Sequence, residues 1–246
     1  MTATLPLTGE RTAPGIWHEN YWFARHEAAY RWITANWLPS LPTTGRILDA
    51  GCGEGYGAEL LRRAGANSVF GLDYEGTTLR HVAKAYPQIK LLQGNLVQQG
   101  LAADTFDLVV SLQTIEHLWD QPAFVAECAR VVRPAGTVVL STPNRLTFPP
   151  GNWYHTRELT GQELLDLVTP ELTVLTTAGL RHGRRLLAWE AENGSCVDAQ
   201  LASDHEEWTA PLIDLVKSVR ATDFVVRESG PDGPADSLDL LIVARK

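Results

Sequence analysis

The chain has 246 residues, of which 44% are hydrophobic and 20% are charged, a composition typical of a globular protein and not of a disordered one. Its formal net charge is −8, so it lacks the basic surface that nucleic acids and anionic membranes require, and neither is expected as a partner. Three widely spaced cysteines, no signal-peptide pattern and no apolar run of roughly 20 residues predict a soluble, cytoplasmic protein with reduced thiols.

The first half of the chain alternates between two hydrophobic periods. After an irregular lead-in, apolar residues spaced by about four, such as Ile33 and Trp37, predict a helix over 17–38. Short apolar runs separated by helical segments then predict βαβ units and a parallel sheet. The predicted strands are 46–50, 68–73, 89–93, 106–111 and 137–141, and the predicted helices between them are 56–64, 77–86 and 122–132.

The order of elements changes after Pro143. Thr160 and Glu163 have the spacing of a capping box before an apolar helix over 164–168. Residues 180–235 are less periodic, and we expect them to cover the carboxyl ends of the strands. Two further strands and one further helix are predicted, at 172–177, 238–244 and 211–219.

These elements predict one domain over the whole chain, 1–246, rather than two. Within it, residues 1–44 are predicted to form an aromatic N-terminal helix or lid. Residues 45–145 are predicted to form a cofactor-binding core, and residues 146–246 to supply acceptor-side loops and the final strands. The oligomeric state is open between a monomer and a homodimer.

The segment ILDAGCGEGYG places Asp49 at the end of the first predicted strand and a series of glycines directly after it. Glycine allows a sharp turn and lets a ligand approach the backbone. In open parallel sheets, ligands bind at the carboxyl ends of strands near the point where the strand order reverses, which is where this loop is predicted to lie. Asp73 ends the second strand, where a carboxylate can accept hydrogen bonds from ribose hydroxyls.

Two other interpretations of this loop exist. It could be a tight strand–helix turn without a ligand. It could also bind a nicotinamide dinucleotide, because Gly53, Gly55 and Ala58 satisfy the pattern G-x-G-x-x-A. Asp49 argues against the second interpretation, since its carboxylate would repel a pyrophosphate but attract the ammonium group of a methionine moiety.

The segments DAGCGEG, GLD, FDLVVS and RVVRPAGTVVLSTPN resemble the class I S-adenosylmethionine-dependent methyltransferases over residues 45–145. The resemblance implies an α/β fold with a Rossmann-like, seven-stranded, mostly parallel sheet whose last strand is antiparallel. Helices cover both faces, with an N-terminal helix and a C-terminal lid insertion. It implies S-adenosyl-L-methionine as cofactor, held at Asp49, Gly51, Gly53, Gly55, Asp73, Tyr74, Asn95, Leu96 and Gln113. Tyr21 and Arg25 of the first helix are polar enough to be further cofactor or lid contacts.

A hydroxyl acceptor must lose its proton during methyl transfer, so a nearby base accelerates the reaction. The first candidate is His117, just beyond the fourth strand, where many O-methyltransferases of this class place an active-site histidine. The alternative is a structural histidine held by Glu116 or Asp120. His155 is the second candidate base, in the loop after the fifth strand.

The loop that contains His155 also carries Trp153, Arg157 and Glu158, which are candidate acceptor-binding residues. Glu116, His117, His155 and Glu158 could together hold a divalent metal ion. Their spacing matches no recognised ligand motif, so no metal is predicted.

Outside the cofactor loop, ENYWF, IEHLWDQ, STPNR and HTREL resemble actinobacterial sugar methyltransferases. The nearest are the mycobacterial sugar 1-O-methyltransferases of methylmannose polysaccharide biosynthesis. This resemblance implies O-methylation of a small or oligosaccharide acceptor, a partly methylated mannoside. An O-methyltransferase of a small aromatic or quinone-like acceptor and a non-catalytic or NAD-binding Rossmann protein are the alternatives.

Overall fold

The computed structural model describes residues 12–66, 68–229 and 235–246. The first eleven residues of the segment predicted over 1–44 lie outside this description. The strands are β1 Arg46–Ala50, β2 Ser68–Asp73, β3 Lys90–Gln93, β4 Phe106–Leu112, β5 Val132–Pro143, β6 Thr173–His182, β7 Phe224–Ser229 and β8 Asp239–Arg245. The α-helices are α1 Asn20–Asn36, α2 Tyr56–Arg63, α3 Gly76–Ala85, α4 Gln121–Val131, α5 Gly161–Val168, α6 Arg184–Asn193, α7 Cys196–Leu201 and α8 Ala210–Ser218.

The strands form one mixed sheet in the order β3-β2-β1-β4-β5-β8-β6-β7. Strands β1 to β5 are parallel, β8 is antiparallel to both of its neighbours, and β7 is antiparallel to β6. The expected seven-stranded sheet is therefore wrong in the number of strands, since the described residues form a sheet of eight. The expected antiparallel last strand is confirmed, because β8 lies between β5 and β6.

The additional strand, β7, falls in the stretch 180–235, where the sequence predicted no strand. It pairs with β6 along one edge only, and its burial does not follow the alternation of a half-buried strand. An edge strand of this kind needs few apolar residues. The segment FVVRES has three apolar residues, which are followed by an arginine and a glutamate. The pairing with β6, and not a local pattern, makes this segment a strand.

The predicted α/β core is confirmed. The strands β1 and β2 have their predicted bounds, and the helices α2, α3 and α4 begin or end within one residue of theirs. The capping box is also confirmed, since Thr160 Oγ1 accepts from the Glu163 amide and the Glu163 carboxylate accepts from the Thr160 amide.

The sheet has a hydrophobic core on each face because side chains alternate along a strand. In β1, Ile47 packs into the core beneath α1 and α2, whereas Leu48 packs into the core beneath α4 and α5. In β4, Leu108 and Val110 share the first core and Val109 the second. Every residue of β4 is buried, as expected for a central strand covered on both faces.

The segment after β6 reaches the carboxyl ends of the strands. Helix α8 packs against α1, and Leu201 at the end of α7 lines the main cavity. A buried ion pair joins α1 to β8, because Arg25 Nε lies 2.8 Å from Asp239 Oδ2. Among the helices of the described ranges, none is both long and apolar enough to cross a membrane.

Candidate active site

A cavity of about 460 Å³ opens at the carboxyl ends of β1 to β5, within the usual size range of ligand sites, roughly 300–1,000 Å³. Strands β1 and β4 are neighbours at its centre, and this is the point where the strand order reverses. The loops after these strands form its floor, and α1 forms one wall. The predicted position of the ligand site thus coincides with this cavity.

The glycine-rich loop after β1 faces this cavity. Gly51 has a φ of +83°, and a Cβ built there would lie 2.5 Å from the Thr114 side chain. Gly53 also has a positive φ and lines the cavity, but a Cβ there would meet no described protein atom within 4 Å. A side chain at Gly53 would therefore occupy space from which a ligand can approach the backbone. Gly55 also has a positive φ and precedes α2, and it does not line the cavity.

Asp49, at the base of the loop, is fully buried. Its Oδ1 accepts a hydrogen bond from the Tyr30 hydroxyl at 3.0 Å, and its Oδ2 has no partner among the described residues. Burial raises the pKa of the Asp49 carboxyl to about 7, although the bond from Tyr30 lowers it. Asp49 is not among the residues that line the cavity, although Gly51, two residues further on, is. The negative charge of Asp49 at the base of the loop favours a cationic ligand there.

Asp73 lines the cavity at the end of β2. Its carboxylate accepts the Gly53 amide at 2.9 Å and the Glu75 amide at 3.0 Å, one on each oxygen. A carboxylate oxygen has two acceptor sites, so this orientation leaves capacity for ribose hydroxyls.

Three predicted cofactor residues follow β2 and β3. Tyr74 is 74% exposed at the rim of the cavity, and Leu96 lines the cavity. Asn95 is not among the lining residues, and its Oδ1 accepts a hydrogen bond from the Val97 amide in a turn. The structure thus brings Tyr74 and Leu96 to the site, whereas Asn95 holds the adjacent turn.

Gln113, after β4, lines the cavity with a φ of +51°. Its side-chain amide donates to Ser141 Oγ at 2.9 Å, and its backbone amide donates to the Ser141 carbonyl at 3.0 Å. These two bonds to β5 hold the residue in an unusual backbone conformation, beside the cofactor loop.

The next loop brings together Glu116, His117 and His155, all of which line the cavity. His117 Nδ1 lies 3.0 Å from the Tyr154 carbonyl, which can only accept, so Nδ1 carries a proton. In a neutral imidazole the basic nitrogen of His117 is then Nε2. The two imidazole rings are close, with centroids 5.1 Å apart.

His155 is held more tightly than His117. Its Nδ1 lies 2.7 Å from Glu158 Oε1 and its Nε2 lies 3.2 Å from Asn152 Nδ2. The amide donates to Nε2, so the lone pair of the neutral ring is already used. Glu158 therefore orients His155 rather than facing the cavity.

Glu116 is almost fully buried, with Oε2 3.1 Å from Thr142 Oγ1. Burial raises the pKa of the Glu116 carboxyl to about 8, so it is largely protonated at neutral pH. Its backbone carbonyl accepts the Thr156 amide at 2.7 Å, which ties the two histidine-bearing loops together.

One potential ligand atom each from Glu116, His117 and His155 lies within 4.8 Å of the other two. The sequence named these three residues, together with Glu158, as a set that could hold a metal ion, although their spacing matches no ligand motif. Each of the three side chains has a hydrogen-bonding partner in the protein, namely Thr142, the Tyr154 carbonyl and Glu158.

Two predicted acceptor residues lie outside the cavity lining. Trp153 is 98% exposed, and Arg157 is exposed with its Nη2 3.2 Å from Glu163 Oε1. Both residues belong to the loop between β5 and α5, in which Tyr154 and His155 line the cavity.

The two predicted residues of α1 differ in position. Tyr21 is fully buried in the core, 2.7 Å from His182 Nε2, and does not line the cavity. Arg25 is also buried, yet it lines the cavity, and its Nη1 has no hydrogen-bond partner among the described residues. A buried cationic donor beside a cavity is a recognition group for an anion.

Three other residues of α1 line the cavity and were missed as site residues: Trp22, His26 and Tyr30. They follow one another at intervals of four, so they share one face of the helix. His26 Nδ1 lies 2.8 Å from the Tyr56 hydroxyl, which also lines the cavity. The spacing of these polar and aromatic residues along the predicted helix was a usable signal for this face.

Fold and site together define a Rossmann-like α/β protein with a cavity suited to a cationic adenosine cofactor. Arg25 Nη1 matches a cofactor carboxylate, Asp73 matches a ribose, and the open backbone at Gly53 permits close approach. The buried Asp49 carboxylate adds negative charge at the base of the same loop. The residues present therefore fit S-adenosyl-L-methionine.

Comparisons with known proteins agree with this choice of cofactor. A family model described as a methyltransferase domain matches residues 48–140. A probable S-adenosylmethionine-dependent methyltransferase of Mycolicibacterium smegmatis is 44% identical over 99% of this chain and 96% of its own. A ubiquinone biosynthesis O-methyltransferase of Mesorhizobium japonicum is 35% identical over 41% of each chain. A solved structure of a Haloferax volcanii complex with the Trm112 methyltransferase activator is similar, with a TM-score of 0.62 at 17% identity and 93% coverage of both chains.

The chain belongs to the S-adenosylmethionine-dependent methyltransferases. Its cofactor is S-adenosyl-L-methionine, and the NAD-binding alternative is set aside. The similarity to the Haloferax structure concerns the fold, since identity is low.

Proposed function

We propose that this methyltransferase transfers the methyl group to a hydroxyl of a sugar, and that the acceptor is a partly methylated mannoside of polymethylated polysaccharide biosynthesis. The observation that carries the O-methylation is the polar acceptor end of the cavity, where Glu116, His117 and His155 meet. The sequence resemblance to sugar methyltransferases supplies the acceptor class.

Asp49 and Arg25 would hold the methionine end of the cofactor. The Asp49 carboxylate would attract the cofactor ammonium from the base of the loop, and Arg25 Nη1 would donate to the cofactor carboxylate. Asp239 holds the Arg25 guanidinium in place through the bond to Nε. Asp73 would accept from the ribose hydroxyls, and Tyr74 and Leu96 would cover the adenine.

His117 is the general base. When bound, the cofactor supplies an electrophilic methyl group on a sulfonium, and its sulfur keeps the bonding electron pair after transfer. His117 Nε2 accepts the hydroxyl proton of the acceptor as the oxygen attacks, because Nδ1 is committed to the Tyr154 carbonyl. Glu116, protonated at neutral pH, can donate a hydrogen bond to the acceptor, and the ring of His155, fixed by Glu158, bounds the acceptor end of the cavity. Alignment of the acceptor with the methyl group contributes more to the rate at such a site than proton removal does.

A quinone-like or small aromatic acceptor is the second candidate. It is favoured by apolar residues in the same cavity, Leu112, Leu118 and Phe148, and by the partial similarity to a ubiquinone biosynthesis O-methyltransferase. With such an acceptor, His117 would accept the proton of a phenol hydroxyl.

The deciding experiment is an acceptor screen with S-adenosylmethionine labelled on the methyl group. Mannose, mannobiose, their 3-O-methyl derivatives, and a set of catechols and quinols are compared at equal concentration. We expect label transfer to the mannosides at least tenfold faster than to any aromatic. Transfer to catechols or quinols alone would establish the second candidate.

A further inference from the structure

The guanidinium of Arg25, in the helix that forms one wall of the cavity, is held by residues at the start of β8. Its Nε donates to Asp239 Oδ2 at 2.8 Å, and its Nη2 donates to Asp239 Oδ1 and, at 2.9 Å, to the Leu238 carbonyl. These bonds use three of the five N–H groups of the guanidinium. The other two belong to Nη1, which has no hydrogen-bond partner among the described residues.

Both members of this ion pair are buried, since each side chain is only 2% exposed. Burial lowers the pKa of Arg25, but the charge of Asp239 and its hydrogen bonds raise that pKa above the ordinary value, so the guanidinium keeps its charge. A buried cationic N–H group without an acceptor is costly. Because Arg25 lines the cavity, a ligand bound in the cavity can supply the acceptor for Nη1.

Asp239 lies at the cavity edge of the sheet because β8 is antiparallel to β5. It is the first residue of β8 and pairs with Pro143 at the end of β5. Pro143 lines the cavity. The start of an antiparallel strand thus supplies a carboxylate where the parallel strands end, and Asp239 was not among the site residues that the sequence predicted.

The contact with Asp239 fixes the orientation of the Arg25 guanidinium. A carboxylate that accepts from both Nε and Nη2 holds the plane of a guanidinium, whereas a single bond lets the group rotate. The directions of the two N–H bonds of Nη1 are therefore set before a ligand binds. Since the charges of Arg25 and Asp239 cancel, the pair offers a ligand two oriented donors rather than a net positive charge.

We propose that Asp239 is a positioning residue that makes the site selective for the carboxylate of the cofactor's methionine moiety, by fixing the orientation of Arg25. This inference rests on the proposed contact between Arg25 and that carboxylate. An isosteric asparagine at position 239 would offer one acceptor oxygen and an NH₂ group that cannot accept from the guanidinium. Arg25 would then lose its fixed orientation while its charge stayed the same.

The test measures two Kd values by calorimetry, for S-adenosylmethionine and for decarboxylated S-adenosylmethionine, which lacks the carboxylate. The ratio of the two is the carboxylate preference. We expect wild type to prefer S-adenosylmethionine by more than tenfold, and the preference to fall at least tenfold in Asp239→Asn. Loss of folded protein raises both apparent Kd values by the same factor, so it cancels in the ratio.

Charge alone predicts the opposite change in Asp239→Asn. Decarboxylated S-adenosylmethionine carries one more positive charge than S-adenosylmethionine, so removal of a nearby negative charge should weaken its binding more. The carboxylate preference would then rise. A fall in the preference therefore measures the lost orientation of Arg25.

Tyr21→Phe is the matched control. The Tyr21 hydroxyl also ties α1 to the sheet, 2.7 Å from His182 Nε2, but Tyr21 does not line the cavity. Its removal should leave the carboxylate preference within twofold of wild type. Asp239→Glu keeps an acidic partner for Arg25 but displaces the carboxylate, and its preference should fall as well. This variant serves if Asp239→Asn does not fold, because breaking a buried ion pair is destabilising.

Arg25→Lys separates the inference from the contact on which it rests, since a lysine keeps the charge without the planar donor group. Its carboxylate preference should also fall. A lowered preference in Arg25→Lys, with an unchanged or higher one in Asp239→Asn, would overturn the positioning role and leave the Arg25 contact intact. An unchanged preference in Arg25→Lys would overturn both. Neither result depends on which acceptor the enzyme methylates.

Discussion

The Tyr30 hydroxyl donates a hydrogen bond to Asp49 Oδ1 over 3.0 Å, and this contact links α1 to the cofactor loop. Gly57 makes the contact possible, because a Cβ at that position would overlap the Tyr30 ring. Burial raises the pKa of Asp49, and the bond from Tyr30 opposes that rise. The charge of Asp49 near neutral pH therefore depends on a residue of another segment.

We expect cofactor affinity to rise with pH between about 5.5 and 7. With a pKa of about 7, the free Asp49 carboxyl is mostly protonated at the lower end of this range, and the cationic cofactor prefers the ionised form. The Kd should fall by about tenfold across the range, measured by calorimetry. The window ends at pH 7 because an α-amino group itself titrates near pH 8.

Asp49→Asn is the control for this titration, and it should bind weakly with an almost flat profile from pH 5.5 to 7. Tyr30→Phe should move the wild-type profile to higher pH, since it removes a donor to the carboxylate. A steep profile retained in Asp49→Asn would show that another group is responsible.

For the base, we expect His117→Ala to lower kcat by about 10²–10⁴-fold, the usual contribution of a general base. The Kd for S-adenosylmethionine should stay within threefold of wild type. His155→Ala is the comparison, and its main effect should be on the acceptor KM because both of its ring nitrogens are used in positioning. Near-normal kcat in His117→Ala would move the proton transfer to another group.

Glu116 predicts a pH-dependent stability. Its pKa of about 8 in the folded state lies above the usual value of 4.5 for a glutamate, so the folded state keeps a proton that the unfolded chain releases. The stability contributed by this proton is full below pH 4.5 and is lost as the pH rises towards 8. The isosteric Glu116→Gln variant has no titrating group at this position, so it does not lose this stability as the pH rises.

We therefore expect Glu116→Gln and wild type to have similar free energies of unfolding at pH 5. At pH 8 the free energy of unfolding of the variant should exceed that of wild type by about 1–3 kcal/mol. One titrating group can change this free energy by at most about 1.4 kcal/mol for each pH unit, so the expected difference is within the limit for this pH range. Urea unfolding from pH 5 to 8 measures both. Parallel curves for the two proteins would mean that Glu116 titrates normally in the fold.

The cluster of Glu116, His117 and His155 also predicts the response to chelation. Because each side chain has a partner in the protein, treatment with EDTA followed by desalting should leave kcat within twofold of the untreated enzyme. Activity lost on chelation and restored by Mn²⁺ or Zn²⁺ would identify these residues as ligands instead.

Much of the core could be predicted because its signals are local. The apolar runs of β1 and β4 and the capping box at Thr160 depend on neighbours within a few residues. The acid and glycines of 49–55 and the acid at Asp73 likewise identify the cofactor end without tertiary information. Strand β7 had no such signal, since its pairing with β6 defines it.

The acceptor end of the site was only partly predictable. The sequence named Glu116, His117 and His155, but not the state of any of them. Glu116 is neutral because of the burial around it, and His117 has a defined basic nitrogen because Tyr154 lies across from it. Tyr154 and the residues that bury Glu116 lie far from Glu116 and His117 in the sequence.

By itself, the sequence determined the α/β alternation, the cofactor loop and the identity of the polar residues near it. Only the tertiary structure decided that the face of Trp22, His26 and Tyr30 lines the cavity and that Asp49 and Glu116 have raised pKa values. The physical reason is that hydrophobic period and turn chemistry act over a few residues. Burial, proton affinity and cavity shape depend on segments that meet only when the chain is folded.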